Sequence, residues 1–253
     1  MDVLEGAGLI AAAGSAGVVN AVAGGGSLIS FPALLAAGYP AKTANVTNTV
    51  ALWPGTVGGS FGYRAELMRQ RSRLTALLLP SLAGSLIGSV VLLATPESAF
   101  DAIVPFLLIF ACLIMAFQDQ LAAFAFRHQL GSPDGIAVPF LLKLFIFVLA
   151  IYGAYFGAGF SIIALAFLAI LIRDDIQHLN ALKGMLALLV NALAVVYFAF
   201  FGPVEWGPAL LMAVAALIGG YLGAGLARRL SRRLLRFVVI SYGTLVAVVL
   251  LVN

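Results

Sequence analysis

Charged side chains are scarce in this chain. Its 253 residues include ten acidic and fourteen basic ones, 9% of the total, where a soluble domain carries about 25%. A globule in water cannot cover its surface with so few charges, which excludes soluble enzymes, nucleic-acid binders and secreted scaffolds. Cysteine is nearly absent: Cys112 stands alone, so no internal disulfide can form, and no Cys/His spacing suggests a metal site. The two histidines, His128 and His178, fall in expected loops and are assigned no role. What the chain does have is apolar surface. Hydrophobic residues make up 63% and the mean hydropathy is +1.11. The expectation is an all-α integral membrane protein with room for about eight to ten segments and none for a soluble domain. The net charge of +4 does not imply a nucleic-acid partner, because the arginines sit in short loops between apolar runs and serve orientation in the bilayer.

The interruptions define the runs. The first, from about Gly6 to Gly38, is broken at Gly24-Gly25-Gly26 and followed by Pro32; each half reads as too short to cross a core of about 30 Å. Fuller runs follow at 44–62, 74–94 and 99–118, then a polar segment from Asp119 to Asp134. The order then repeats: a run at 137–172 broken at Gly157-Ala158-Gly159, and fuller runs at 179–201, 207–227 and 237–252. Arg64, Arg69, Arg71 and Arg73 share one loop, and Arg228, Arg229, Arg232, Arg233 and Arg236 another; both are expected on the cytoplasmic side. The loops at 95–98 and 202–206 carry Glu97 and Glu205 and no cation, so they are expected outside. If each broken run is a re-entrant hairpin, each half holds one hairpin and three spans. The odd number inverts the second half and puts both termini outside. Two full-length helices in place of each hairpin give the same parity. The start, Met1-Asp2-Val3-Leu4-Glu5, is acidic and lacks the basic region of a signal peptide, so no cleavage is expected.

The halves also match weakly in sequence. Gly24-Gly25-Gly26-Ser27 aligns with Gly157-Ala158-Gly159-Phe160-Ser161, and Thr43 to Asn48 aligns roughly with Asn180 to Gly184. The expected architecture is two inverted repeats, residues 1–126 and 127–253, each a glycine-broken hairpin followed by three transmembrane helices. Paired glycine-interrupted segments in corresponding places point to a transporter with a midplane site.

Within lipid, backbone leaves the helix only where protein or a water-filled cavity satisfies its polar groups. Half-helices starting near Ser27 and Ser161 would present free N–H groups and the positive end of a dipole, which together suit an anion. The alternative is that Gly24, Gly25, Gly26, Gly157 and Gly159 serve close packing or a kink; packing is the preferred reading for Gly219, Gly220, Gly223 and Gly225. Lys183 lies a turn into an apolar run and is a candidate anion contact, or it snorkels to the interface. Asn45, Thr47 and Asn48 occupy the matching helix start and either donate to an oxyanion or cap the helix; Asn180 reads as an N-cap, and Asn191 as a bond to a neighbouring helix. Asn20 precedes the first break. Trp53 and Pro54 fall mid-run, where Trp53 walls a pathway or packs. Lys42 and Lys143 sit near run ends and snorkel. All ten acidic residues lie at termini, in loops or at run ends, so no mid-membrane carboxylate is at hand to relay protons. The groupings of an intramembrane protease are missing as well.

These residues carry a family resemblance. Gly17 to Pro54, with Gly24-Gly25-Gly26-Ser27, Pro32, Gly38-Tyr39-Pro40 and Ala44-Asn45-Val46-Thr47-Asn48, resembles the first half of the sulfite exporter TauE/SafE family. Tyr152 to Asn191, with Gly157-Ala158-Gly159 and Asn180-Ala181-Leu182-Lys183, resembles its second half. The chain departs from the pattern at Phe160 and at Arg173-Asp174-Asp175, where a Gly/Pro turn is expected. The resemblance implies a permease of the cell (inner) membrane for sulfite or a related sulfur oxyanion or organosulfur anion, with no cofactor and no enzymatic activity. Its partners would be the anion and the lipid bilayer, with a homo-oligomer left open. The residues alone reach an anion transporter, with uptake, a channel or a non-transporting membrane assembly factor as alternatives.

Overall fold

The computed structural model describes residues 2–22, 24–62, 64–128, 138–226 and 232–252. Met1, Asp134, Arg228, Arg229 and Asn253, on which part of the topology argument rests, lie outside the described residues. Twelve α-helices make up the described chain: α1 (Val3–Val22), α2 (Ser27–Ala36), α3 (Ala41–Gly62), α4 (Arg64–Arg69), α5 (Arg71–Ala94), α6 (Glu97–Ala116), α7 (Gln118–Arg127), α8 (Phe140–Tyr155), α9 (Phe160–Leu171), α10 (Ile176–Phe201), α11 (Trp206–Leu226) and α12 (Arg232–Val252). Six of them, α1, α5, α6, α10, α11 and α12, are long and apolar enough to cross a membrane. The protein is an all-α, multi-pass membrane protein.

The first broken run differs from expectation in length. It extends back to Val3, so α1 has 20 residues, about 30 Å at 1.5 Å per residue, and can span; α2 has only ten. Glycine within α1 does not stop it, because apolar neighbours on both sides reward continued helix. The chain nevertheless turns back on itself. A Cβ at Gly26 would lie 2.2 Å from the Ala16 carbonyl oxygen, so α2 starts alongside α1. Beyond α2, the Tyr39 hydroxyl donates to Glu5 Oε1 at 3.0 Å, bringing both ends of the hairpin to one end of the molecule.

The expected polar segment after α6 contains a helix, α7. It buries Ala125 and packs on α9, while Phe117, Phe124 and Phe126 are exposed, an amphipathic pattern suited to the membrane interface.

α3 is the exception among the long helices. It is too polar to count as a lipid-facing span and is instead wrapped by α1, α2, α6, α10 and α11. Residues 42–48 are buried without a break, so the first turns are enclosed on every face. The remaining packing follows small residues. α1 lies against α11, and a Cβ at Gly219 would meet the Gly14 carbonyl oxygen at 2.1 Å. α5 lies against α8, where Gly84 and Gly88 approach the carbonyls of Phe147 and Ile151 to 2.3 and 2.2 Å by the same measure. These contacts bear out the packing reading for Gly219 and explain why small residues recur there.

Candidate anion site at the helix breaks

Each broken run turns on glycines in the left-handed region: Gly24 (φ 76°) and Gly25 (φ 87°) in the first, Gly157 (φ 77°) and Gly159 (φ 81°) in the second. A Cβ is strained there, so the breaks are written in the sequence by residue type. Both breaks abut the same turn of α6. A Cβ at Gly25 would meet Met115, and one at Gly159 would meet Ile114 and Ala111. The first hairpin also touches the second break directly, with the Phe31 ring edge-on to Phe156 at 5.5 Å.

Two side chains hold the breaks in shape. Asn20 Oδ1 accepts from the Gly26 N–H at 2.7 Å, and the Tyr152 hydroxyl donates to the Ala158 carbonyl. Tyr152 was not legible as a positioning residue; a tyrosine in the last turn before a glycine break is the only signal that could have found it. Several amides expected to be free are thereby occupied. Gly26 N–H goes to Asn20, Leu28 N–H to Gly25, and those of Ile29 and Ser30 to Gly26; in the second break Phe160 N–H goes to Gly157 and those of Ile162 and Ile163 to Gly159. Among the described residues, the amides and hydroxyls of Ser27 and Ser161 have no hydrogen-bond partner. Both residues are half-buried.

The polar stretch of α3 divides by direction. Asn45, Thr47 and Asn48 are only 2%, 1% and 3% exposed. Asn45 Nδ2 donates to the Tyr155 carbonyl at 2.8 Å, reaching from the first half to the edge of the second break. Thr47 turns elsewhere, its Oγ1 accepting from the Glu205 N–H at 3.1 Å. Asn48 Oδ1 is buried with no hydrogen-bond partner, which is costly unless something else satisfies it. On α10, Lys183 is half-buried and its Nζ donates to Asn180 Oδ1 at 3.0 Å. The N-cap of α10 is Asp175, which accepts from the Gln177 N–H at 3.0 Å, so Asn180 is not a cap but the partner of Lys183. A Cβ at the neighbouring Gly184 would meet nothing within 4 Å. Asn191 bonds back to Ala187 of its own helix rather than to a neighbour. Trp53 Nε1 donates to the Leu188 carbonyl at 3.4 Å, joining α3 to α10.

A separate cleft of about 340 Å³ lies at the end of the molecule that holds Tyr39, lined by Leu35, Tyr39, Pro40, Asp101 and Leu250 among others. It is open to the exterior and is not adjacent to the glycine breaks.

The sequence matches known proteins over nearly its whole length. The Sinorhizobium protein "Probable membrane transporter protein ORF9" is 26% identical over 97% of this chain and 92% of its own. A "Probable membrane transporter protein" of Haemophilus influenzae is 25% identical over 89% and 86%, and Escherichia coli "Probable membrane transporter protein YfcA" is 24% identical over 93% and 86%. No solved structure matches. The model of the sulfite exporter TauE/SafE family matches residues 9–250, nearly the whole chain, and the chain belongs to this family of membrane transporters.

Proposed function

We propose that the protein exports a small oxyanion, sulfite or a related sulfur oxyanion or organosulfur anion, through a site between the two helix breaks. The observation that carries this reading is the pair Ser27 and Ser161. Ser27 opens α2 and Ser161 is the second residue of α9; both are half-buried, and among the described residues neither amide nor hydroxyl has a hydrogen-bond partner, while both breaks lie on one turn of α6. Donors without partners at the positive ends of two short helices suit a ligand that brings only acceptors. Asn48 adds a carboxamide whose Nδ2 is the group able to donate to an oxyanion, its unpartnered Oδ1 being an acceptor, and Lys183 adds the positive charge that an anion needs inside a membrane. Lys183 and Asn180 occupy in α10 the place that Asn48 and Asn45 occupy in α3, each pair 135 residues apart. The substrate-contacting set in this reading is Gly24, Gly25, Gly26, Ser27, Asn45, Asn48, Gly157, Gly159, Ser161, Asn180 and Lys183, with Thr47 holding the loop before α11.

The reading includes two inverted repeats, 1–126 and 127–253, in the inner membrane with both termini outside. Corresponding helices start 133 to 137 residues apart: Val3 and Phe140, Ser27 and Phe160, Ala41 and Ile176, Arg71 and Trp206, Glu97 and Arg232. Packing partners exchange in the same way, α1 with α11 and α8 with α5, as expected if each repeat completes the other.

Reconstitution into liposomes loaded with labelled sulfite tests the proposal. Efflux above that of empty liposomes, competed by unlabelled sulfite, is the expected result. Transport only of unrelated anions would move the substrate assignment, and no flux of any anion in a panel of sulfur oxyanions and organosulfur acids would favour a non-transporting membrane factor.

A further inference from the structure

The two ends of the molecule are closed by corresponding contacts of different chemistry. At one end the loop before α11 bonds to the start of α3, through the Glu205 N–H and Thr47 Oγ1. At the other, the start of α5 bonds to the start of α10. Buried Gln70 Nε2 donates to the His178 carbonyl at 2.9 Å, and the Arg73 guanidinium donates to Gln70 Oε1 at 3.2 Å. Arg73 also pairs with Asp174, whose other carboxylate oxygen lies 2.8 Å from His178 Nδ1. Among the described residues the first contact is made by a neutral hydrogen bond, whereas the second is an ionic cluster joining the first half of the chain to the second. α5 and α11 correspond in the repeat, as do α10 and α3, so the clusters occupy equivalent places at opposite ends.

We infer that Arg73, Asp174 and His178, with Gln70 beneath them, form the latch that closes the arginine-rich end over Lys183. This rests on the transport reading of the site. The distances favour it. His178 precedes Lys183 by five residues on one helix, about 7.5 Å of rise, and Gly184 beside the lysine faces open space. Parting the starts of α5 and α10 widens the space that Gly184 faces beside Lys183 without unfolding α10. Neither side chain of the Arg73–Asp174 pair is deeply buried, at 16% and 21% exposed, so water can replace the contact when it parts. A pair sealed in a core would be too costly to break on every cycle.

The test uses the scarcity of cysteine. In a Cys112→Ala background, Gly184→Cys places a thiol beside Lys183, and a membrane-impermeant maleimide is applied to inside-out vesicles. Asp174→Asn and Arg73→Gln should each raise the labelling rate about tenfold, the effect of losing about 1.4 kcal/mol of closure. The charge exchange Arg73→Asp with Asp174→Arg should return it towards the parent value. Buried Cys112, left as the only thiol in otherwise matched variants, monitors general loosening. Unchanged labelling in both single variants overturns the latch, and so does a parallel rise at Cys112. The assay needs no substrate, so a latch that responds as expected in a protein without anion flux would refute the transport reading and leave the latch standing.

Discussion

Asn48 and Lys183 meet the cost of polarity inside a membrane in different ways. Lys183 shares its ammonium with Asn180 Oδ1, a neutral partner that leaves the positive charge uncompensated. An anion settling beside it would supply that compensation. Lys183→Met keeps the length and removes the charge. The expected result is loss of a charge-assisted contact of about 1.5–3 kcal/mol, a roughly 10- to 150-fold weaker apparent affinity for the anion in liposome flux, with unchanged elution on size-exclusion chromatography. Equal affinity in the variant would reduce Lys183 to an interfacial anchor. Gly219 illustrates a different residue-scale constraint. A Cβ there would fall 2.1 Å from the Gly14 carbonyl oxygen, so Gly219→Ala must push α11 away from α1. A loss of about 1–3 kcal/mol is expected from overpacking, read as a lower melting temperature in detergent. Gly184→Ala serves as the comparison, since its Cβ meets nothing, and should leave the melting temperature unchanged or raise it, alanine being the better helix former.

At the scale of elements, the breaks are set by short-range chemistry and held by contacts from further along the chain. Positive φ at Gly24, Gly25, Gly157 and Gly159 stops each helix, while Asn20 and Tyr152 fix how the chain re-enters. The junction between α9 and α10 uses carboxylates where the first half uses Gly38-Tyr39-Pro40. Asp174 takes bonds from Arg73 and His178, and Asp175 caps α10. Burial alone would raise the Asp174 carboxyl, but hydrogen bonds from His178 and Arg73 outweigh it and hold it below its ordinary range. A carboxyl lowered in the folded state contributes stability above its unfolded value of about 3.9, and that stability is lost as pH falls through the folded value. The melting-temperature gap between the parent and Asp174→Asn should therefore persist from about pH 7 down to about pH 5 and close below about pH 4. A gap that widens on acidification would contradict the assignment. At the opposite end, burial and the bond to Glu5 push the Tyr39 hydroxyl up, so Tyr39 remains a donor to Glu5 through the neutral range.

For the whole molecule, the distribution of charge supports the proposed export. Glu5, Tyr39, Asp101 and Leu250 gather at one end, so α1 begins where α12 ends. Arg73, Asp174, His178 and Gln70 gather at the other. If the arginine-rich end is cytoplasmic, reporters fused to both termini should give periplasmic signals, and a cytoplasmic signal at either one would break the inverted-repeat topology. The cytoplasm is electrically negative, so an anion leaving it moves downhill by about 2.3 kcal/mol per unit charge per 100 mV. Export then needs no coupled ion, in keeping with the absence of acidic residues from the middle of the membrane segments. Liposomes held at an imposed potential without a pH gradient should release the anion at a rate that follows the voltage. Flux that ignores voltage and follows a proton or sodium gradient would call for a coupling site in the backbone of the breaks.

Composition and interruption alone determined that this chain is a helical membrane protein, where most of its helices begin and where two runs break. Those are local matters: lipid demands apolar residues over a set length, and only glycine takes a positive φ cheaply. The starts of α3, α5, α6, α10 and α11 lie within five residues of the edges read from hydropathy. What hydropathy could not supply was the fate of individual polar groups. Thr47 and Asn48 are neighbours on α3, yet one is bonded to a loop 158 residues away and the other is left with a buried oxygen unpartnered. Asn180 looked like a cap and is the partner of Lys183. α1 reached full length because its N-terminal residues joined the helix, and α7 formed in a segment that reads as merely polar because α9 offered its apolar side a surface. Each of these outcomes depends on which atoms a distant part of the chain brings within about 3 Å, a distance that only the packed helices define.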